Sequence, residues 1–123
     1  TMPEIKVRKL LYKLGYRFRL HYSYLPGKPD IILPKYKTII FVNGCFWHMH
    51  ENCRYSSIPK NNHDFWKNKL EGNVERDREN YAQLESMGIK VIVVWGCEIK
   101  QMMKDELMAV ERVDNLIYEI IKW

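Results

Sequence analysis

A chain of 123 residues that is 46% hydrophobic and 28% charged has the balance of one globular domain, and lacks the bias of a fibrous, collagenous or disordered protein. No apolar run approaches the ~20 residues of a membrane-spanning helix, no secretory leader pattern is visible, and three cysteines are too few for a disulfide framework and suit a reducing cytoplasm. The net charge of +5 favours an anionic partner, nucleic acid before others.

Thr1-Met2-Pro3-Glu4 reads as a capping box with Pro3 in the first turn. Ile5, Val7, Leu10, Leu11 and Leu14 then mark the apolar stripe of a helix that ends near Gly15. Glu4 has two readings, the cap partner of Thr1 or a carboxylate near an active site. From Tyr16 to Tyr22 polar and apolar residues alternate, with Phe18, Leu20 and Tyr22 on one face, which predicts a strand. Leu25-Pro26-Gly27-Lys28-Pro29 is a rigid turn that delivers Asp30 to the short buried strand Ile31-Ile32-Leu33. After the turn Pro34–Lys37, Thr38 to Asn43 forms a strand whose run Ile39-Ile40-Phe41-Val42 is apolar on both faces, hence central in its sheet.

The stretch Gly44-Cys45-Phe46-Trp47-His48-Met49-His50-Glu51-Asn52-Cys53 concentrates the chemistry. Cys45, His50 and Cys53 offer three ligands on a short loop, and Cys97 can close a tetrahedron around structural zinc, which uses every cysteine in the chain. Three buried thiols without metal are the alternative. His48 stands two residues before His50, so the two imidazoles cannot easily serve one ion, and one is left for other work. A neutral imidazole is the natural general base near neutral pH; a histidine that only hydrogen-bonds its own loop is the other reading. Phe46-Trp47, taken alone, reads as a hydrophobic lid on the zinc site.

Arg54 to His63 is a polar, mobile connection in which Lys60, Asn61 and Asn62 can meet phosphate. Asn62 or Asp64 caps a long helix through about Ser86, with Phe65, Trp66, Leu70, Val74, Tyr81 and Leu84 on its buried face and Gly88 ending it. Within it, Asn73-Val74-Glu75-Arg76-Asp77-Arg78 is either a solvated face with paired charges or a DNA contact through Arg76 and Arg78. Asp77 falls on the apolar line through Val74 and Tyr81 and reads as a buried polar anchor. Lys90 to Trp95 is a second central strand, and strand–helix–strand order implies a right-handed crossover between parallel neighbours. Gln101 to Val110 reads as a short helix, and Val113, Leu116, Ile117, Ile120 and Ile121 give a last amphipathic helix whose stripe belongs to the core. The fold class is therefore α/β.

Pro29-Asp30, a hairpin, and a buried strand ending in a polar residue is the layout of metal-dependent nucleases of the PD-(D/E)xK type. A carboxylate at a strand end can hold Mg²⁺ beside a scissile phosphate. The usual second acid and lysine are missing, since the strand reads Phe41-Val42-Asn43; the Val42 carbonyl would have to serve, with His48 as base. Four ordered motifs then resemble the very-short-patch repair DNA mismatch endonucleases, the Vsr family. They are Leu25-Pro26-Gly27-Lys28-Pro29-Asp30, Asn43-Gly44-Cys45-Phe46-Trp47-His48, the Asn73–Arg78 block, and Val94-Trp95 followed by Cys97. The resemblance covers nearly the whole chain. It implies one restriction-endonuclease-like domain over 1–123, a central mixed sheet flanked by helices with a structural zinc. It implies a Mg²⁺-dependent nick 5′ of the thymine in a T:G mismatch left by deamination of 5-methylcytosine.

Family roles carry over by position. Asp30 matches the metal-binding aspartate, Val42 the residue whose carbonyl also binds Mg²⁺, and His48 the catalytic histidine. Glu4 matches an acidic residue of the first helix that supports the site. Cys45, His50, Cys53 and Cys97 match the zinc ligands, and Phe46 and Trp47 match aromatics that wedge into the duplex. Insertion of such side chains unstacks a base step, and a mismatched step yields more easily. The resemblance further implies a monomer on double-stranded DNA in a prokaryotic, nucleoid-associated cytoplasm, with a repair polymerase and mismatch-repair proteins as downstream partners. Two departures stand out: Asn43, a catalytic candidate whose amide can still donate a hydrogen bond to phosphate, occupies a position where the family's best-known member has histidine, and little of the family's basic N-terminal arm precedes the first helix. Rival readings are a related nuclease for another DNA structure, reflected in Asn43, and a non-catalytic mismatch-binding module.

Overall fold

The computed structural model describes residues 2–20, 24–104 and 106–121. Helix α1 (Met2–Lys13) leads to strand β1 (Arg19–Leu20), then β2 (Ile31–Leu33) and β3 (Thr38–Asn43). Helix α2 (His63–Ser86) follows, then β4 (Lys90–Trp95), α3 (Gly96–Lys104) and α4 (Glu106–Ile121). The four strands form one mixed sheet in the order β1-β2-β3-β4. β1 and β3 run antiparallel to β2, with Ile31 opposite Ile40, while β3 and β4 are parallel, with Asn43 opposite Trp95. The 24-residue α2 makes the crossover between the parallel pair, the kind of connection that parallel strands require.

Strand alternation sends the side chains of β3 to two different cores. Ile40 joins Ile31, Leu33 and Ile92 against Val7 and Leu11 of α1, Ile99 of α3 and Ile120 of α4. Ile39 and Phe41 face the other way and pack with Leu84 of α2. The result is a sheet with three helices on one face and one on the other, as expected for a strand apolar on both faces. β4 departs from the expectation. It pairs with β3 alone among the described strands and so lies at the edge of the sheet; α2 and the three-helix layer cover its two faces, which its apolar run reflects equally well.

Helix ends follow the sequence. Tyr16 N–H bonds the Leu11 carbonyl past Gly15, whose φ is +91°, and Ile89 N–H bonds the Leu84 carbonyl past Gly88 at φ +79°, both glycine-terminated ends. Asn62 sits at the N-cap of α2 with φ +56° and makes no side-chain cap bond. The cap on Thr1 and the strand position of Tyr22 lie outside the described residues, and β1 within them is only two residues long. Phe65 is 60% exposed and Ile121 58% exposed, so the buried stripes of α2 and α4 are narrower than their spacing suggests. The segment Gln101–Val110 divides between α3 and α4. Glu98 bridges the junction by accepting from Trp95 N–H at 3.2 Å and pairing with Arg112 of α4 at 3.3 Å. No helix of the described residues is long and apolar enough to cross a membrane.

Candidate active site and metal centre

The turn before β2 is built to place Asp30. Gly27 adopts φ +76°, and a Cβ there would stand 3.1 Å from Phe41 and 3.2 Å from Asn80. Only glycine combines that backbone with so close an approach. Asp30 then reaches across the hairpin, where its Oδ2 accepts the Val42 backbone N–H at 2.7 Å. This bond fixes the orientation of the carboxylate.

The loop after β3 folds back on itself through His48 N–H to the Gly44 carbonyl and His50 N–H to the Cys45 carbonyl. Met49 and Asn52 take positive φ values of +49° and +54°, which splits the neighbouring imidazoles between two tasks. His50 turns toward the cysteines. The ligand atoms of Cys45, His50, Cys53 and Cys97 lie within 4.8 Å of one another. Cys97 Sγ and His50 Nδ1 are 3.4 Å apart, and a tetrahedral zinc ion spaces sulfur and nitrogen ligands by roughly 3.5 Å. The set fits a closed structural metal site in donor type, number and spacing. Its surroundings fit too. The His50 ring stacks on Trp95 with centroids 4.1 Å apart and planes 9° from parallel. Cys97 N–H points at Cys45 Sγ at 3.4 Å, and Ser56 Oγ lies 2.7 Å from both the His50 and Cys53 carbonyls. Burial pushes the Cys97 thiol up to about 12, and the sulfurs of Cys45 and Cys53 push in the same direction. A bound cation would favour the thiolate form that metal ligation requires.

His48 faces the other way, toward α2. Its Nδ1 lies 2.6 Å from Asp77 Oδ2, with both side chains half-buried. An ionised Asp77 holds the proton on Nδ1 and leaves Nε2 as the basic nitrogen. Asn73, one turn earlier on α2, donates its Nδ2–H to the Trp47 carbonyl at 3.1 Å, and Arg76 in turn donates to Asn73. Glu75 and Arg78 form an exposed pair at 2.8 Å. The charged block of α2 is thus a clamp on the loop as much as a solvated face. Asp77 was legible as a buried polar anchor, but not the histidine it anchors, because 29 residues separate the two.

The remaining candidates are placed as follows. Asn43 is 4% exposed and donates its Nδ2–H to the Tyr81 hydroxyl at 2.9 Å. Glu4 is 6% exposed on α1, and its described ion pair is with Arg8 at 3.5 Å. Phe46 and Trp47 meet edge to face at 5.1 Å, and each meets Trp66, at 5.6 and 5.9 Å, while Phe65 packs on Trp66 at 5.3 Å. Trp47 is 48% exposed, so it protrudes from a four-ring cluster. Spacing along α2 assigned Phe65 and Trp66 to the core. Their adjacency as a second Phe-Trp pair was the available hint.

A mixed sheet flanked by helices, with an acid at the entry to one strand and a Cys/His-stapled loop at the exit of the next, is consistent with the PD-(D/E)xK restriction-endonuclease-like class. The family model described as DNA mismatch endonuclease Vsr matches residues 1–54. The type II nicking enzyme V.NmeAIP of Neisseria meningitidis serogroup A is 48% identical over 120 residues, 98% of this chain and 82% of the relative. The type II nicking enzyme V.XorIIP of Xanthomonas oryzae is 48% identical over 102 residues, 83% of this chain and 74% of the relative. The DNA mismatch endonuclease Vsr of Escherichia coli is 36% identical over 119 residues, 95% of this chain and 75% of the relative. The chain belongs to the Vsr family of DNA mismatch endonucleases.

Proposed function

We propose that this protein, acting as a single domain and a monomer, nicks one strand of duplex DNA on the 5′ side of the thymine in T:G mismatches left by deamination of 5-methylcytosine. The observation that carries the reading is the placement of His48. A stapled loop turns His50 into the Cys/His cluster and leaves His48 held by Asp77 at 2.6 Å, and the strand that leads into this loop carries the Val42 N–H that fixes Asp30. Asp30 and the Val42 carbonyl would hold Mg²⁺, which when bound neutralises charge on the phosphate and favours ionisation of water. His48 takes the proton of the attacking water at Nε2, and Asp77 stabilises the resulting imidazolium. Asn43 fixes the end of β3 beside them, and Glu4 supports the site from α1. Phe46 and Trp47, backed by Trp66, supply the wedge.

Paired duplexes test the reading. The full-length protein is expected to nick a T:G duplex only when Mg²⁺ is supplied and to leave its T:A counterpart intact. Equal cutting of both would redirect the proposal to another DNA structure, and mismatch binding indifferent to Mg²⁺ with no cut product would make the protein a binding module. The wedge makes a separate prediction. Base–aromatic stacking contributes about 1–3 kcal/mol per base, so Trp47→Ala is expected to weaken T:G duplex binding roughly tenfold or more. Its effect on T:A binding should be much smaller, as read by fluorescence anisotropy on both duplexes.

A further inference from the structure

Tyr81 has no part in the reaction as read above, yet it stands among the groups that perform it. It follows Asp77 by four residues on α2, which sets both side chains on one face of the helix. Its ring is tilted against Phe41 with centroids 5.0 Å apart, so the phenol runs along the sheet toward the end of β3. There its oxygen accepts the Asn43 amide proton at 2.9 Å. Asn43 is almost wholly buried at the last position of β3, next to Val42. Two independent supports, a ring contact and a buried amide, therefore fix where the hydroxyl sits.

The electrostatics say what the hydroxyl is. Burial first, then the carboxylates of Asp77 and Asp30, push Tyr81 up to about 12 against the lowering effect of the Asn43 hydrogen bond. A phenol under those influences stays protonated through the physiological range. A neutral hydroxyl has one proton to donate and two lone pairs. Asn43 takes up a lone pair, and the proton meets no acceptor among the described residues. The group that feels both Asp30 and Asp77 is thus an oriented, neutral donor, not an anion that would repel phosphate.

We propose that Tyr81 is a catalytic residue of this enzyme, donating its hydroxyl proton as a hydrogen bond to a non-bridging oxygen of the scissile phosphate, with Asn43 fixing the direction of that donation. The inference rests on the reading of Asp30 and His48 as a nuclease site. The proton stays on Tyr81 throughout, and no bond to Tyr81 forms or breaks. Its contribution is a preorganised dipole at oxygens that gain charge as water attacks, in a pocket that already carries the negative charge of two carboxylates.

The experiment is single-turnover nicking of a T:G duplex by the zinc-loaded full chain with Mg²⁺. It compares the parent protein, Tyr81→Phe, and the protein with 3,5-difluorotyrosine at position 81, each across a pH series. Removing one such donor costs roughly 10²-fold in rate. Tyr81→Phe is expected to lose about that much while duplex affinity stays within about twofold of the parent. The fluorinated side chain keeps the ring and the hydroxyl but ionises at lower pH, so its rate is expected to fall on an alkaline limb that neither the parent nor Tyr81→Phe displays. A Tyr81→Phe rate equal to the parent's overturns the proposal. A slow Tyr81→Phe beside a fluorinated protein with the parent's pH profile also overturns it, since a merely structural hydroxyl does not respond to its own acidity. Should Tyr81→Phe fail to fold, the fluorinated protein's profile decides alone. A parent protein that does not nick at all refutes the nuclease reading itself, which is a separate result.

Discussion

Cys97→Ser is expected to lower the thermal midpoint by about 15 °C and to reduce bound zinc, measured in the purified protein, from one equivalent to a small fraction. Loss of a structural metal ranks among the largest single-site effects, on the order of 4 kcal/mol, and each kcal/mol shifts the midpoint of a chain this size by roughly 3–5 °C. The reason lies in what the cluster joins. Cys45, His50 and Cys53 belong to the loop that leaves β3, whereas Cys97 opens α3 after β4. Within the loop, regular backbone support is limited to a few turn-type hydrogen bonds, so an ion across these four ligands would be its main fastening. The β-sheet has its own two cores, and the variant is expected to keep most of its secondary structure by circular dichroism. Nicking is expected to disappear, because His48 stands between two of the ligands. A Cys97→Ser protein with an unchanged midpoint and a full equivalent of zinc would show that the metal does not sit here.

The second large effect is on chemistry with stability held nearly constant. His48→Ala is expected to slow single-turnover nicking by roughly 10²–10⁴-fold, the usual contribution of a positioned general base, while zinc content stays at the parent level. Asp30→Ala is expected to abolish cleavage for a different reason, the loss of the carboxylate proposed to hold Mg²⁺. Asp77→Asn separates positioning from proton transfer. The amide can keep a hydrogen bond to His48 Nδ1 but cannot stabilise an imidazolium, and it offers either an acceptor or a donor. An intermediate loss, about 10–100-fold, is expected, with duplex affinity unchanged. Wild-type rates for both His48→Ala and Asp77→Asn would remove the 2.6 Å pair from the mechanism.

How much of this was legible before folding depends on the range over which each signal acts. Helix ends at Gly15 and Gly88 are local, since positive φ at a glycine is a property of a few bonds. The two-sided apolar run of β3 declared a strand between two cores, and β3 has them. The same argument applied to β4 placed it centrally. The run records what covers the faces of a strand and says nothing of what pairs with its edges, and β4 lies at an edge among the described strands. Phe65 and Trp66 were assigned to the core by helical spacing, which cannot know that α2 begins beside the metal loop, where Trp66 joins Phe46 and Trp47.

The sequence by itself determined the Cys/His cluster, the acid on its rigid turn and the family, because each is carried by residue types in short, ordered segments. Only the tertiary structure decided that Asp77 holds His48, that Asn73 ties the loop to α2 and that Asn43 meets Tyr81. Those pairs join positions 26 to 38 residues apart, and they exist because the α2 crossover packs on one face of the sheet and brings its charged block over the end of β3.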